Sequence, residues 1–369
     1  MQDLTRRKIL GAAALAAPAL LSAQNQQDEV NAAIIGVGGR GTTVLTRAVK
    51  SPKVRFTAIC DIDPEARDRG ATLAKQWKPD LLADYRKLLE RKDVDAVIIA
   101  TPVDLHKEMA IAALEAGKSI YLEKPLGLTP LEVKQVVEAA RKAKGILQTG
   151  FQLRYDPPRR AAIEHIHQGG IGPVAYMQGD RHTGDLPPEK PWLFDASRSG
   201  NIIVEQAVHI FDLMNWAMKT HPIKAMGLGG INVYQGRPFP NRSIWDHYAC
   251  IFEYPDNIRL SFTHLYIDPR GFSGISERIW GHTGAVDLPS GTKSVLTERE
   301  GQAPKPEVLW EGDRGDMTQN AVDAFYQHVR ESSEPLNNVT YGMYATLMAL
   351  MGKKAIEEER IVTWDEVAL

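Results

Sequence analysis

Val30-Asn31-Ala32-Ala33-Ile34-Ile35 runs directly into Gly36-Val37-Gly38-Gly39-Arg40-Gly41, and residues 42–49 continue as a helical stretch. A short apolar strand, a G-x-G-x-x-G turn and a helix, in that order, give the glycine motif the context of a dinucleotide site. The residue types have separate reasons. Gly36 permits the tight turn, Gly38 lets the backbone approach a pyrophosphate, and Gly41 lets the helix pack closely on the strand. Gly39 and Arg40 lie in the same turn, and the phosphates would rest on the positive end of the helix that follows. A second strand, Val54–Cys60, ends at Asp61, 25 residues after Gly36. A carboxylate there can accept both ribose hydroxyls and repels a 2′-phosphate, which favours NAD over NADP. Asp61-Ile62-Asp63-Pro64 also reads as a helix cap or turn.

Working outward, helical stretches at 64–77, 85–90, 105–116 and 130–143 alternate with strands at 96–100, 119–122 and 146–149. That alternation predicts an α/β fold, a Rossmann-type, doubly wound parallel sheet over residues 30–150. Ligands of such sheets bind beyond the carboxyl ends of the strands. Two strand ends carry suitable side chains: Thr101-Pro102 with His106 beyond them, and Glu123-Lys124-Pro125.

From Phe151 the pattern changes. A helix at 159–168 precedes strand-like segments at 174–180, 223–234, 245–254, 259–266 and 277–281, and a final helix at 341–358. Gly/Pro/Asn-rich turns separate the strands, which predicts an α+β domain over 151–369 with a large, mostly antiparallel sheet. The segment 181–200 is long enough for a lid or specificity loop. If helical from about Ile203, residues Glu205, His209 and Asp212 fall at i, i+4 and i+7 on one face. Three ionisable groups on an apolar helix are costly unless they work together. A metal held by Glu205, His209 and His182 is the alternative, but Glu-x-x-x-His supplies only two local ligands, so no metal is expected.

These residues together resemble the glucose–fructose oxidoreductase / inositol dehydrogenase family (Gfo/Idh/MocA), closely over residues 30–155 and more loosely to the C-terminus. The resemblance implies that Lys124 sits beside the nicotinamide and the reacting carbon, with Glu123, Thr101, Pro102 and His106 around the cofactor and a cis Lys124–Pro125 bond. It places His209 on the family's catalytic histidine, Glu205 where the family usually has aspartate, and Asp212 on its second aspartate. The implied activity is hydride transfer between a sugar or cyclitol hydroxyl and a tightly held NAD. His209 would act as general base, with Lys124 stabilising the alkoxide. Candidates to grip the substrate are Arg154, Tyr155, His182, Asp185, Trp192 and Asp246. A redox-neutral glycosidase, working by transient oxidation and elimination, uses the same site. A non-enzymatic sugar-binding protein is the third reading, and intact Gly36, Asp61, Lys124 and His209 weigh against it. A homo-oligomer through the C-terminal sheet is also expected.

Composition bounds the remaining choices. The 369 residues are 43% apolar and 24% charged, with a formal charge of −2, so nothing points to nucleic acid. Two cysteines exclude a disulfide framework. Residues 1–29 read as an export signal and linker: Arg6-Arg7 precede an uncharged 13-residue run, Ile9 to Leu21, too short to span a bilayer. The paired arginines resemble a twin-arginine signal, which implies export of the folded protein by the twin-arginine machinery to the periplasm or beyond, with no membrane anchor.

Overall fold

The computed structural model describes residues 29–368 except 185–189, 234, 237–238, 270–271, 273 and 297–304. The expected export signal therefore lies outside the described residues. The first layer begins β1 (Val30–Ile35), α1 (Gly39–Ala48), β2 (Val54–Cys60), α2 (Pro64–Leu73) and β3 (Asp80–Leu82). It continues α3 (Tyr85–Leu89), β4 (Ala96–Ile99), α4 (His106–Glu115), β5 (Ser119–Leu122), α5 (Pro130–Lys142) and β6 (Leu147–Thr149). The six strands are all parallel, in the order β3-β2-β1-β4-β5-β6. Chain order reverses between β1 and β4, and the glycine turn leaves β1 at that reversal, where doubly wound sheets bind their ligands. Every residue of β4 is buried, as a central parallel strand covered on both faces must be.

The second layer opens with α6 (Pro157–His167), β7 (Val174–His182), α7 (Ala196–Ser199) and α8 (Val208–Met218). Strands β8 (Lys224–Gly230), β9 (His247–Glu253), β10 (Arg259–Leu265), β11 (Ile275–Gly281), β12 (Gly284–Asp287), β13 (Thr292–Val295) and β14 (Glu307–Val308) follow. Helices α9 (Met317–Glu331) and α10 (Val339–Glu357) and strand β15 (Val362–Thr363) complete the chain. The nine strands stand in the order β14-β13-β12-β11-β7-β10-β9-β8-β15. Only β7 and β10 pair in parallel, so the sheet is mixed and mostly antiparallel. Its inner face buries Met177, Phe252 and Phe262 in one core with α8 and α10. Its outer face leaves Tyr176, Met226, Leu228 and Ile251 exposed, on the sheet expected to pair with a second copy.

Helix α9 corrects the sequence reading, which places no helix between 281 and 341. It buries Val322, Phe325 and Tyr326 in the same cluster as β1, β2 and Tyr121 of the first sheet. The parallel sheet needs both faces covered, and this helix supplies part of one layer from a distant stretch of chain. Asp316 caps it, accepting hydrogen bonds from the Thr318 and Gln319 amides.

Candidate active site

The cleft beyond β1, β4 and β5 has a volume of about 600 Å³. Gly36 adopts φ +89°, and a Cβ there would lie 2.7 Å from the Ala100 carbonyl oxygen; a Cβ on Gly41 would run into the Gly36 carbonyl. Gly38 differs from both: nothing lies within 4 Å of where its Cβ would be. The turn thus keeps an open cradle at the residue assigned to pyrophosphate approach, and the residues present fit a dinucleotide.

Asp61 lines the cleft. Its carboxylate accepts the Val37 amide at 2.6 Å and the Asp63 amide at 3.0 Å. The cap of α2 is Asp63, which accepts from the Glu65 amide. Asp61 is thereby tied to the glycine turn, and the alternative reading of it as the helix cap is displaced. Arg40 donates through Nε to Glu123 Oε1 at 2.7 Å, so its charge is met by a carboxylate that is only 4% exposed. His106 ties the two strand ends together: Nδ1 lies 2.7 Å from the Pro125 carbonyl and Nε2 3.0 Å from that of Thr101. Burial holds its imidazole below the usual range, against the upward pull of the two carbonyls. The Lys124–Pro125 bond is cis.

Lys124 Nζ donates to the Glu205 carboxylate at 2.8 Å and to the Glu205 carbonyl at 2.5 Å. The local backbone explains this pairing. Residues Ile203–Ala207 form a π-helical turn before α8 begins, and such turns rotate side chains away from the ideal α-helical stripe. Glu205 accordingly reaches across to β5. His209, one turn on, packs edge-on against Phe151 at 6.0 Å, and its Nδ1 is buried without a hydrogen-bond partner. Burial first, then the charges of Lys124 and Arg181, hold its imidazole well below the usual histidine range.

Asp212 departs from the expected stripe. It is fully buried and forms a two-point ion pair with the equally buried Arg154, at 2.7 and 2.8 Å. The guanidinium also lies over the rings of Tyr341 and Trp216. Neither residue lines the cleft; where the sequence leads one to expect a catalytic role for Asp212 and a substrate-gripping role for Arg154, the structure shows the two bound to each other in the interior. Other substrate candidates are also committed elsewhere. Tyr155 donates to Asn337 and His182 contacts the Thr263 hydroxyl, while buried Asp246 accepts from the Asn232 and Val233 amides. Trp192 does line the cleft. Asp185 lies outside the described residues. Among the described residues no group of three or more His, Cys, Asp or Glu side chains could hold a metal.

Sequence reasoning passed over Lys190 and Arg198, which line the cleft from the second layer. It also passed over Arg181, whose Nε donates to Gln206 at 3.0 Å beside Glu205. Arg181 alternates with neighbours along an ordinary strand, and nothing local marks it.

Residues 30–151 match an oxidoreductase family with an NAD-binding Rossmann fold, and residues 163–364 match the C-terminal α/β domain of the same family. The inositol 2-dehydrogenase of Salmonella typhimurium is 32% identical over 195 residues, 51% of this chain; the chain spans only about half, 54%, of that relative's length. The inositol 2-dehydrogenase/D-chiro-inositol 3-dehydrogenase of Lactiplantibacillus plantarum is 26% identical over 337 residues, covering 88% of this chain and 91% of that one. Among solved structures, a levoglucosan dehydrogenase in complex with NADH and levoglucosan shares the fold at a TM-score of 0.77 and 20% identity, over 91% of this chain and 99% of that chain. With both of its sheets matched in order, the chain belongs to the Gfo/Idh/MocA oxidoreductase family.

Proposed function

We propose that this chain is an NAD-dependent dehydrogenase that oxidises a secondary hydroxyl of a sugar or cyclitol, with His209 as general base. The observation that carries this reading is the coupling of three groups: Lys124 and Glu205, paired at 2.8 Å where they line the dinucleotide cleft, and His209, one helical turn beyond Glu205, whose imidazole the Lys124 charge helps to hold down. The relatives named as inositol dehydrogenases supply the substrate class. When bound, the nicotinamide supplies the hydride acceptor. The chain's own groups manage the proton. Neutral His209 is in the form that accepts one, and because its Nδ1 is enclosed, that role falls to Nε2. Lys124, held by Glu205, places a cation where the alkoxide develops, and the same cation keeps His209 from picking up a proton prematurely. The test is NADH formation from added NAD across a panel of inositols and pyranoses. One oxidised product per NADH is the expected result. Release of free sugar from an aryl glycoside without NADH would move the assignment to the redox-neutral glycosidase.

The preference for NAD over NADP rests on Asp61, whose carboxylate is tied to the glycine turn and lines the cleft, where it repels a 2′-phosphate. Asp61→Ala should weaken NAD binding about 10- to 150-fold, the worth of a hydrogen bond to a charged group, and should relax the exclusion of NADP. Calorimetric titration with both nucleotides measures this, and an unchanged NAD affinity would confine Asp61 to holding the glycine turn.

A further inference from the structure

Four long cationic side chains line the dinucleotide cleft: Arg40, Lys124, Lys190 and Arg198. Three are matched by carboxylates, Arg40 by Glu123, Lys124 by Glu205 and Arg198 by Asp104. Lys190 alone has no carboxylate partner among the described residues. Its position is specific. The Lys190 Cε lies 3.9 Å from where a Cβ on Gly39 would stand, so the outer part of its side chain lies beside the first turn of α1. That turn contains no acidic residue and has no side-chain cap. An ammonium with no carboxylate partner among the described residues and the uncapped peptide N–H groups that open α1 thus lie on the same stretch of the cleft.

The segment that carries Lys190 is anchored just beyond it, at Leu193–Ala196, and again at Arg198. Leu193 and Phe194 are buried, Phe194 edge-on against Phe239; the Ser243 amide donates to the Phe194 carbonyl, and its hydroxyl accepts from the Ala196 amide. At its far end Arg198 donates to both Asp104 oxygens, at 2.9 and 3.4 Å. Asp104 belongs to the turn that follows Pro102 in the first layer. Residues 190–198 therefore bridge from the second layer to the first along the wall of the cleft.

We propose that residues 190–198 form a strap that retains the dinucleotide, with Lys190 pairing to its pyrophosphate opposite the glycine turn and the Arg198–Asp104 pair fastening the strap. This rests on the cleft holding NAD and not on any choice of substrate, so it stands or fails independently of the sugar. The ligand chemistry is a diphosphate diester; adenosine, which lacks the phosphates, is the control.

The experiment compares wild type, Lys190→Gln, Lys190→Arg, Arg198→Gln and Asp104→Asn, reading equilibrium affinity by calorimetry and NADH release by fluorescence after mixing with excess NAD. Lys190→Gln should weaken NAD about 10- to 100-fold and leave adenosine within about twofold. Lys190→Arg should restore most of the loss. Arg198→Gln and Asp104→Asn should each speed NADH release by a similar factor, since either removes the same fastening. NAD affinity and release within about twofold of wild type in Lys190→Gln would overturn the proposal. So would a loss shared equally by adenosine, which would mark a general disturbance of the fold.

Discussion

His209→Ala is expected to slow single-turnover reduction of bound NAD by about 100- to 10,000-fold while NAD affinity stays within about twofold, because a positioned base contributes that much and does not hold the nucleotide. The pH dependence sharpens the test. Burial and the neighbouring Lys124 and Arg181 charges push the His209 imidazole well down, so the neutral, base-competent form prevails at and above pH 6.5. The acid limb of the rate profile should therefore lie below the usual histidine range. Lys124→Met removes one of the downward pushes, so the His209 pKa rises and the acid limb moves to higher pH, on top of a lower maximal rate. If the two groups act on one proton, the double variant should be little slower than the slower single variant. Wild-type hydride transfer in His209→Ala, or an acid limb indifferent to Lys124, would remove His209 from the chemistry.

What the residues disclosed in advance, and what they did not, divides along sequence separation. The turn from Gly36 to Gly41, the strand ends at Thr101 and Glu123 and the parallel sheet were readable because each is a local pattern: a turn that admits only glycine, a strand stopped by proline, a change of period. The helical stripe was readable only to its first half. Glu205 and His209 do meet Lys124 electrostatically, but the π-helical turn at Ile203–Ala207 has no signature in composition, and Asp212 follows a different face. Helix α9 was missed because its apolar residues are outnumbered by polar ones and its partner sheet lies about 200 to 290 residues upstream. The Lys190 strap escaped for a related reason. The segment 181–200 reads as a lid or specificity loop, but nothing in its composition singles out Lys190, which the fold brings beside Gly39.

The pairing of Arg154 with Asp212 is the case where sequence and structure give opposite experimental forecasts. If both residues served the substrate, replacing either would raise KM or lower turnover in a protein of normal stability. The structure forecasts the reverse. Arg154 and Asp212 are fully enclosed, joined at two points, and Arg154 also donates to the Leu336 carbonyl and lies between two aromatic rings. Removing one partner leaves an uncompensated charge in the interior, which costs about 3–5 kcal/mol, whereas removing both often costs little. Burial already pushes the Asp212 carboxyl above its ordinary range against the opposing pull of Arg154, so without the arginine it would have to take up a proton to stay inside. Arg154→Met should thus lower the melting temperature of the second domain by roughly 6–20 °C, at about 2–4 °C per kcal/mol for a domain of about 150–250 residues. The double variant Arg154→Met/Asp212→Leu should recover much of that loss. Protein that remains folded should bind NAD as wild type does, because neither side chain borders the cleft. A single variant that melts normally but loses its substrate would return Arg154 to the binding site, and no degree of destabilisation in the double variant could then be blamed on a stranded charge.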